Sequence, residues 1–160
     1  MINKSFLVYY ILFIITCIAV GLSLGMVVNG EYFSNRSVNL GSDFMKNVLS
    51  SNLKNFISYL FLPFISPILQ LLDLVETFFK IGVGIQVAGL FSTMNDLIPH
   101  ALLEIPNFIW YQGASQYVLF TFLKEKSIKK IIYLEKKLFK FYLLSLFVLI
   151  IAAFIEGYVG

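Results

Sequence analysis

Charge is what this sequence has least of. Only 13% of its 160 residues are Asp, Glu, Lys or Arg, against 59% that are apolar, whereas a water-facing domain carries about 25% charged residues. The shortfall excludes an ordinary soluble surface. It is accounted for if most of the chain faces lipid, where a charged side chain costs roughly 2.5 to 3.5 kcal/mol at a helix centre. A mean hydropathy of +0.85 agrees with that environment. The fold class expected is therefore an all-α integral membrane protein.

Other absences narrow the function. The single cysteine, Cys17, lies inside the first apolar run, so it can form no intramolecular disulfide and is expected to be a packed thiol. There is no phosphate-cradling glycine loop, no Ser-His-Asp order and no HExxH helix, so no enzyme class is indicated and no cofactor is expected. Neither an internal repeat nor a low-complexity tract interrupts the chain. A cleaved signal peptide would have an apolar stretch of about 7 to 15 residues, but Lys4 is followed by an uncharged run over 6–28, long enough to span a bilayer. A lipoprotein reading at Cys17 needs a small residue before the cysteine, and Thr16 fits that poorly.

Five apolar segments are present, over 6–28, 55–72, 77–95, 98–123 and 138–159, each near the ~20 residues a helix needs to cross a 30 Å core. They predict a bundle of about five transmembrane helices in a single membrane domain. Pro63 and Pro67 fall inside the second segment, so it is expected to be bent, broken or re-entrant. With the N-terminus inside, the cytoplasmic face receives Lys4, Lys80 and the seven lysines between Lys124 and Lys140, nine in all, against Arg36, Lys46 and Lys54 outside. That asymmetry follows the positive-inside rule and leaves the C-terminus outside. The external loop over 29–54 begins with NGEYFSNRSVNLGSD, a turn-rich composition. From Phe44 on, Phe44, Val48, Leu49 and Leu53 share one helical face and predict an interfacial helix.

The segment KEKSIKKIIYLEKKLFK, over 124–140, mixes seven lysines with Ile128, Ile131, Ile132 and Leu138. It predicts a basic cytoplasmic helix over 124–137 lying on the anionic inner leaflet, with Glu125 and Lys129 as an i,i+4 pair. A docking surface for a cytoplasmic protein is the alternative, and nucleic-acid binding is not indicated because no fold accompanies the charge. Gly21 and Gly25 form a GxxxG pair in the first span, and Gly82, Gly84 and Gly89 line the third, spacing that lets helices approach closely in lipid.

Ionisable groups inside a span are functional hypotheses by default. In PHALLEIP, over 99–106, Asn95 or Asp96 is expected to cap a helix whose first turn holds Pro99, placing His100 and Glu104 on one face at i and i+4. Glu156 lies near the outer end of the last span and Asn52 at the outer start of the second, so the topology brings Asn52, His100, Glu104 and Glu156 to one leaflet as a candidate polar binding cluster. Three readings stay open: hydrogen bonds that hold the bundle together, a site that receives a partner or peptide, and a metal site lacking a second histidine.

Two of these stretches carry a resemblance. PHALLEIP resembles the P-H-G-hydrophobic-hydrophobic-E-hydrophobic-P signature of the stage II sporulation protein M family, and AAFIE at 152–156 resembles that family's closing A-A-hydrophobic-hydrophobic-E. Asn52 stands where the family commonly has asparagine before its second span. Ala101 replaces the family's glycine, and Pro63 and Pro67 occupy a span where the family tends toward glycine. The resemblance implies a multi-pass protein of the bacterial cytoplasmic membrane, without catalysis, serving as an accessory or scaffold in multiprotein assemblies. Sporulation and the biosynthesis, secretion or immunity of circular bacteriocins are the roles it implies, with membrane lipid, protein partners and a secreted peptide as contacts. A transport component, permease-like or a small exporter, is the rival expectation.

Overall fold

The computed structural model describes residues 3–30 and 41–158, apart from the side chains of Asp96, Pro99 and His100. Helices account for nearly all of these residues: α1 Lys4–Val27, α2 Ser42–Phe61, α3 Ser66–Ala88, α4 Leu90–Glu125 and α5 Ile128–Tyr158, with a 3-10 turn at Pro63–Ile65. No strand occurs among the described residues. Two helices, α1 and α5, are long and apolar enough to cross a membrane, or three spans exist if the broken pair α2 and α3 counts as one. The chain places Gln70, Gln112, Ser115 and Ser145 in its interior and leaves Leu12, Phe147 and Phe154 outside. That is the reverse of a water-soluble protein and suits a surface covered by hydrocarbon.

Several helix boundaries depart from the expectations, each for a local reason. The segment 55–72 is divided, because Pro63 opens a 3-10 turn after Leu62, where the backbone leaves the helical region, and the Ser66 hydroxyl donates to the Pro63 carbonyl at 2.7 Å. The helix expected over 44–53 continues unbroken to Phe61 as α2. Gly89 ends the segment 77–95 early by adopting φ +84°, a conformation that glycine tolerates without a steric penalty. Since α3 begins at Ser66, Lys80 lies in the middle of the helix and pairs with Glu76 at 2.6 Å, whereas the segment 77–95 places it near a helix start.

The helix containing PHALLEIP begins at Leu90, not at Asn95 or Asp96, and runs through Pro99 and Pro106. The Thr93 hydroxyl donates to the Gly89 carbonyl at 2.9 Å within its first turn. The basic segment is not a separate surface helix either. Lys126 turns the chain at φ +47°, and from Ile128 onward the lysines belong to the same continuous α5 that ends at Tyr158. That turn removes Glu125 from α5, so it pairs with Lys130 at 2.6 Å instead of Lys129, and the ammonium holds the Glu125 carboxyl below its ordinary value. The middle of the expected external loop, 31–40 with Arg36, lies outside the described residues.

The chain divides into two compact units. The first holds residues 1–38 and 68–98, and the second holds 39–67 and 99–160. In the first, α1 and α3 run in the same direction, since Gly21 lies against Val75 and Phe78, Gly25 against Phe79 and Gly82, and Gly30 against Gln86. Backbones touch here because the glycines carry no side chain. Buried Tyr10 and Gln70 are joined at 2.8 Å, with the amide donating to the phenol oxygen. In the second unit α2 and α4 run together and α5 runs against them, as the contacts described next require.

A Cβ at Gly25 would collide with the Phe79 carbonyl oxygen and lie 3.0 Å from the Gly82 Cα, both backbone atoms that cannot move alone. Gly25→Ala is expected to destabilise the protein by about 1 to 3 kcal/mol in detergent-titrated unfolding of mixed micelles. Ser23→Ala, on the exposed side of α1, should leave the transition unchanged.

Candidate functional site

The second unit is organised from the end bearing Glu156. The Gly41 amide donates to the Gly157 carbonyl at 2.9 Å, and a Cβ at Gly157 would fall 2.5 Å from the Met45 Cβ. The start of α2 is thereby tied to the end of α5, next to Glu156. About two turns along α2, the Asn52 side-chain amide donates to the Glu104 carboxylate at 2.7 Å. Glu104 and Glu156, both half-buried, stand close enough for their charges to interact. Asn52, Glu104 and Glu156 therefore gather in one unit from three helices. The side chain of His100, the fourth member expected, lies outside the described residues. Among the described residues no three His, Cys, Asp or Glu side chains converge as a metal site.

Below this carboxylate layer the interior stays polar. Asn107 is buried and its amide donates to the Ser145 carbonyl at 3.0 Å. The Ser115 hydroxyl donates to the Tyr59 carbonyl at 2.6 Å. Between these bonds the ring of Phe56 meets Tyr111 edge-on at 5.2 Å and Tyr142 at 6.3 Å, while Tyr59 meets Tyr111 at 5.6 Å. Gln112 and Gln116 are buried in the same interior and engaged there. Toward the other end the Tyr142 hydroxyl hydrogen-bonds the half-buried Glu135.

Sequence reasoning located the carboxylates and missed everything beneath them. The signal was available as helical spacing: Glu104, Asn107, Tyr111 and Ser115 recur every three or four residues along α4, which puts them on one face. The same stripe explains why α4 is absent from the helices apolar enough to cross a membrane, although the stretch 98–123 was expected to be one. Its polarity is turned inward. Such a lane can bind a polar segment, hold water, or lock helices in register.

Replacing Glu104 by Gln keeps an acceptor for Asn52 and removes a charge beside Glu156, whereas Ala removes both. Glu104→Gln is expected to be at least as stable as wild type, and Glu104→Ala to lose about 1 to 2 kcal/mol, both read from unfolding in mixed micelles. Proximity is read separately, from crosslinking of the pair Asn52→Cys and Glu104→Cys in a Cys17→Ala chain by a short bifunctional thiol reagent. Failure to crosslink would remove this layer of the site.

No protein-family model, curated protein or solved structure matches the chain.

Proposed function

We propose that this chain is a non-enzymatic, multi-pass protein of the bacterial cytoplasmic membrane, an accessory or scaffold subunit of the stage II sporulation protein M type. Five helices cross the bilayer, with the N-terminus inside and the C-terminus outside, and the polar layer of Asn52, Glu104 and Glu156 receives a protein partner or a secreted peptide. The observation that carries this reading is the bond between Asn52 and Glu104 beside Glu156, because it joins the three segments whose motifs resemble that family. Helix directions support the topology: α1 runs with α3, and α2 runs with α4 and against α5, as an alternating order of spans demands. Membrane lipid is the contact of the outward apolar side chains. Organising an assembly for sporulation, or for circular bacteriocin biosynthesis, secretion or immunity, is the role that fits a polar site without a nucleophile or metal.

A transport component is the second reading, and the buried lane from Glu104 through Asn107, Gln112, Ser115 and Gln116 is what favours it. The two separate in a single comparison. For a scaffold, Glu104→Ala abolishes co-purification of membrane partners while the chain still accumulates, and vesicles reconstituted with the pure protein move no peptide. A transporter gives flux in those vesicles that Glu104→Ala removes.

Topology has its own test. In a Cys17→Ala chain, Ser42→Cys is expected to react with an impermeant thiol reagent added to intact cells, and Ser127→Cys only after the cells are opened. Labelling of the second variant from outside would invert the proposed orientation.

A further inference from the structure

Glu76 and Lys80 lie either side of the midpoint of α3, residue 77 of Ser66–Ala88, and bond to each other at 2.6 Å with 64% and 70% of their side chains exposed. A lysine ammonium has three donors and a carboxylate about four acceptor positions, so one mutual contact leaves both groups with most of their capacity unused. Beside them, between α1 and α3, runs an open groove of about 560 Å³ whose walls include Cys17, Val20, Leu72, Val75 and Phe79, with Glu76 itself on the wall. Leu71 lines it too, and both leucines are exposed. The first unit thus presents an apolar groove with a charged pair at the mid-depth of a helix proposed to span the bilayer.

We propose that this α1 and α3 face is where a second copy of the chain docks in the membrane, the two Glu76 and Lys80 pairs joining into one four-membered ion network above the packed leucines. An acyl chain could fill the groove, but it would leave two charged groups against hydrocarbon, the least favourable place for them. A partner helix carrying charge of one sign would satisfy one member and repel the other. The pair itself is neutral: a two-fold axis along the membrane normal sets the two Glu76 at one depth and the two Lys80 at another, and each lysine bridges to the other copy's Glu76 along the helix, an isologous arrangement. The four-residue offset amounts to about 6 Å of rise, within reach of a lysine side chain. The inference rests on the membrane-spanning reading proposed above, and the experiment separates the two.

Leu72→Cys in a Cys17→Ala chain, oxidised in native membranes, is expected to give a disulfide-linked species of twice the chain's mass. Leu144→Cys, exposed on α5, should give none. Glu76→Lys and Lys80→Glu, each combined with Leu72→Cys, should lower the yield at least tenfold. Coexpressing these two under different tags should restore it to within twofold, as a mixed-tag dimer. The double exchange Glu76→Lys with Lys80→Glu preserves both the internal pair and its self-complementarity and should dimerise as wild type does. No dimer from Leu72→Cys alone, a dimer indifferent to charge reversal, or a crosslink to a chain of different mass in its place would each overturn the interface. Carbonate extraction of the same membranes distinguishes the causes. A chain that stays in the membrane without crosslinking refutes only the dimer, whereas a chain that is released refutes the spanning reading and the interface with it.

Discussion

A polar group in hydrocarbon has no water to bond, and this constraint orders the second unit. Backbone groups meet it by forming helices. Side chains meet it only by turning inward, and α4 gathers most of them on one stripe from Glu104 to Ser115. Around that stripe α2 supplies the Asn52 amide and the Tyr59 carbonyl, and α5 supplies the Ser145 carbonyl. Each bond is worth only about 0.6 to 1.7 kcal/mol in membranes, so the lane acts less as glue than as register. Sliding one helix by a turn would orphan several polar groups together.

The first unit meets the same environment differently. Its close contacts are backbone against backbone, made by Gly21, Gly25 and Gly82, and a buried polar bond joins Tyr10 and Gln70. Small residues let α1 and α3 approach until carbonyl oxygens meet α-carbons, where dispersion takes over from hydrogen bonding. One unit is therefore sensitive to added volume and the other to lost polarity.

How much of this was legible depended on whether the signal was an average or a pattern. The helical class and the first helix follow from composition and an uninterrupted apolar run, and α1 over Lys4–Val27 lies almost on the segment 6–28. The stretch from Phe44 to Asn95 misled because apolar averages do not register the exact residue at which a helix stops. Pro63 and Gly89 decide that, and moving the start of α3 back to Ser66 carried Lys80 from a supposed helix end into its middle. Asn52, Glu104 and Glu156 were found because charge and amide groups stand out against leucine. Asn107, Ser115 and the glutamines were overlooked because uncharged polar residues look like dilution of an apolar segment until their spacing is examined.

One element reaches from the basic turn to the carboxylate layer without interruption. As a single helix of 31 residues, α5 is about 46 Å long, longer than the ~30 Å hydrocarbon core it is proposed to cross. Its lysines near Ile128 and its Gly157, held by the Gly41 amide and the Met45 side chain, are opposite ends of one stiff rod. An axial pull or rotation imposed at the lysine end is delivered, with little loss to bending, to the seam beside Glu156. The helix is in mechanical terms a pushrod, tying its lysine-bearing end to the fit of small residues at the other.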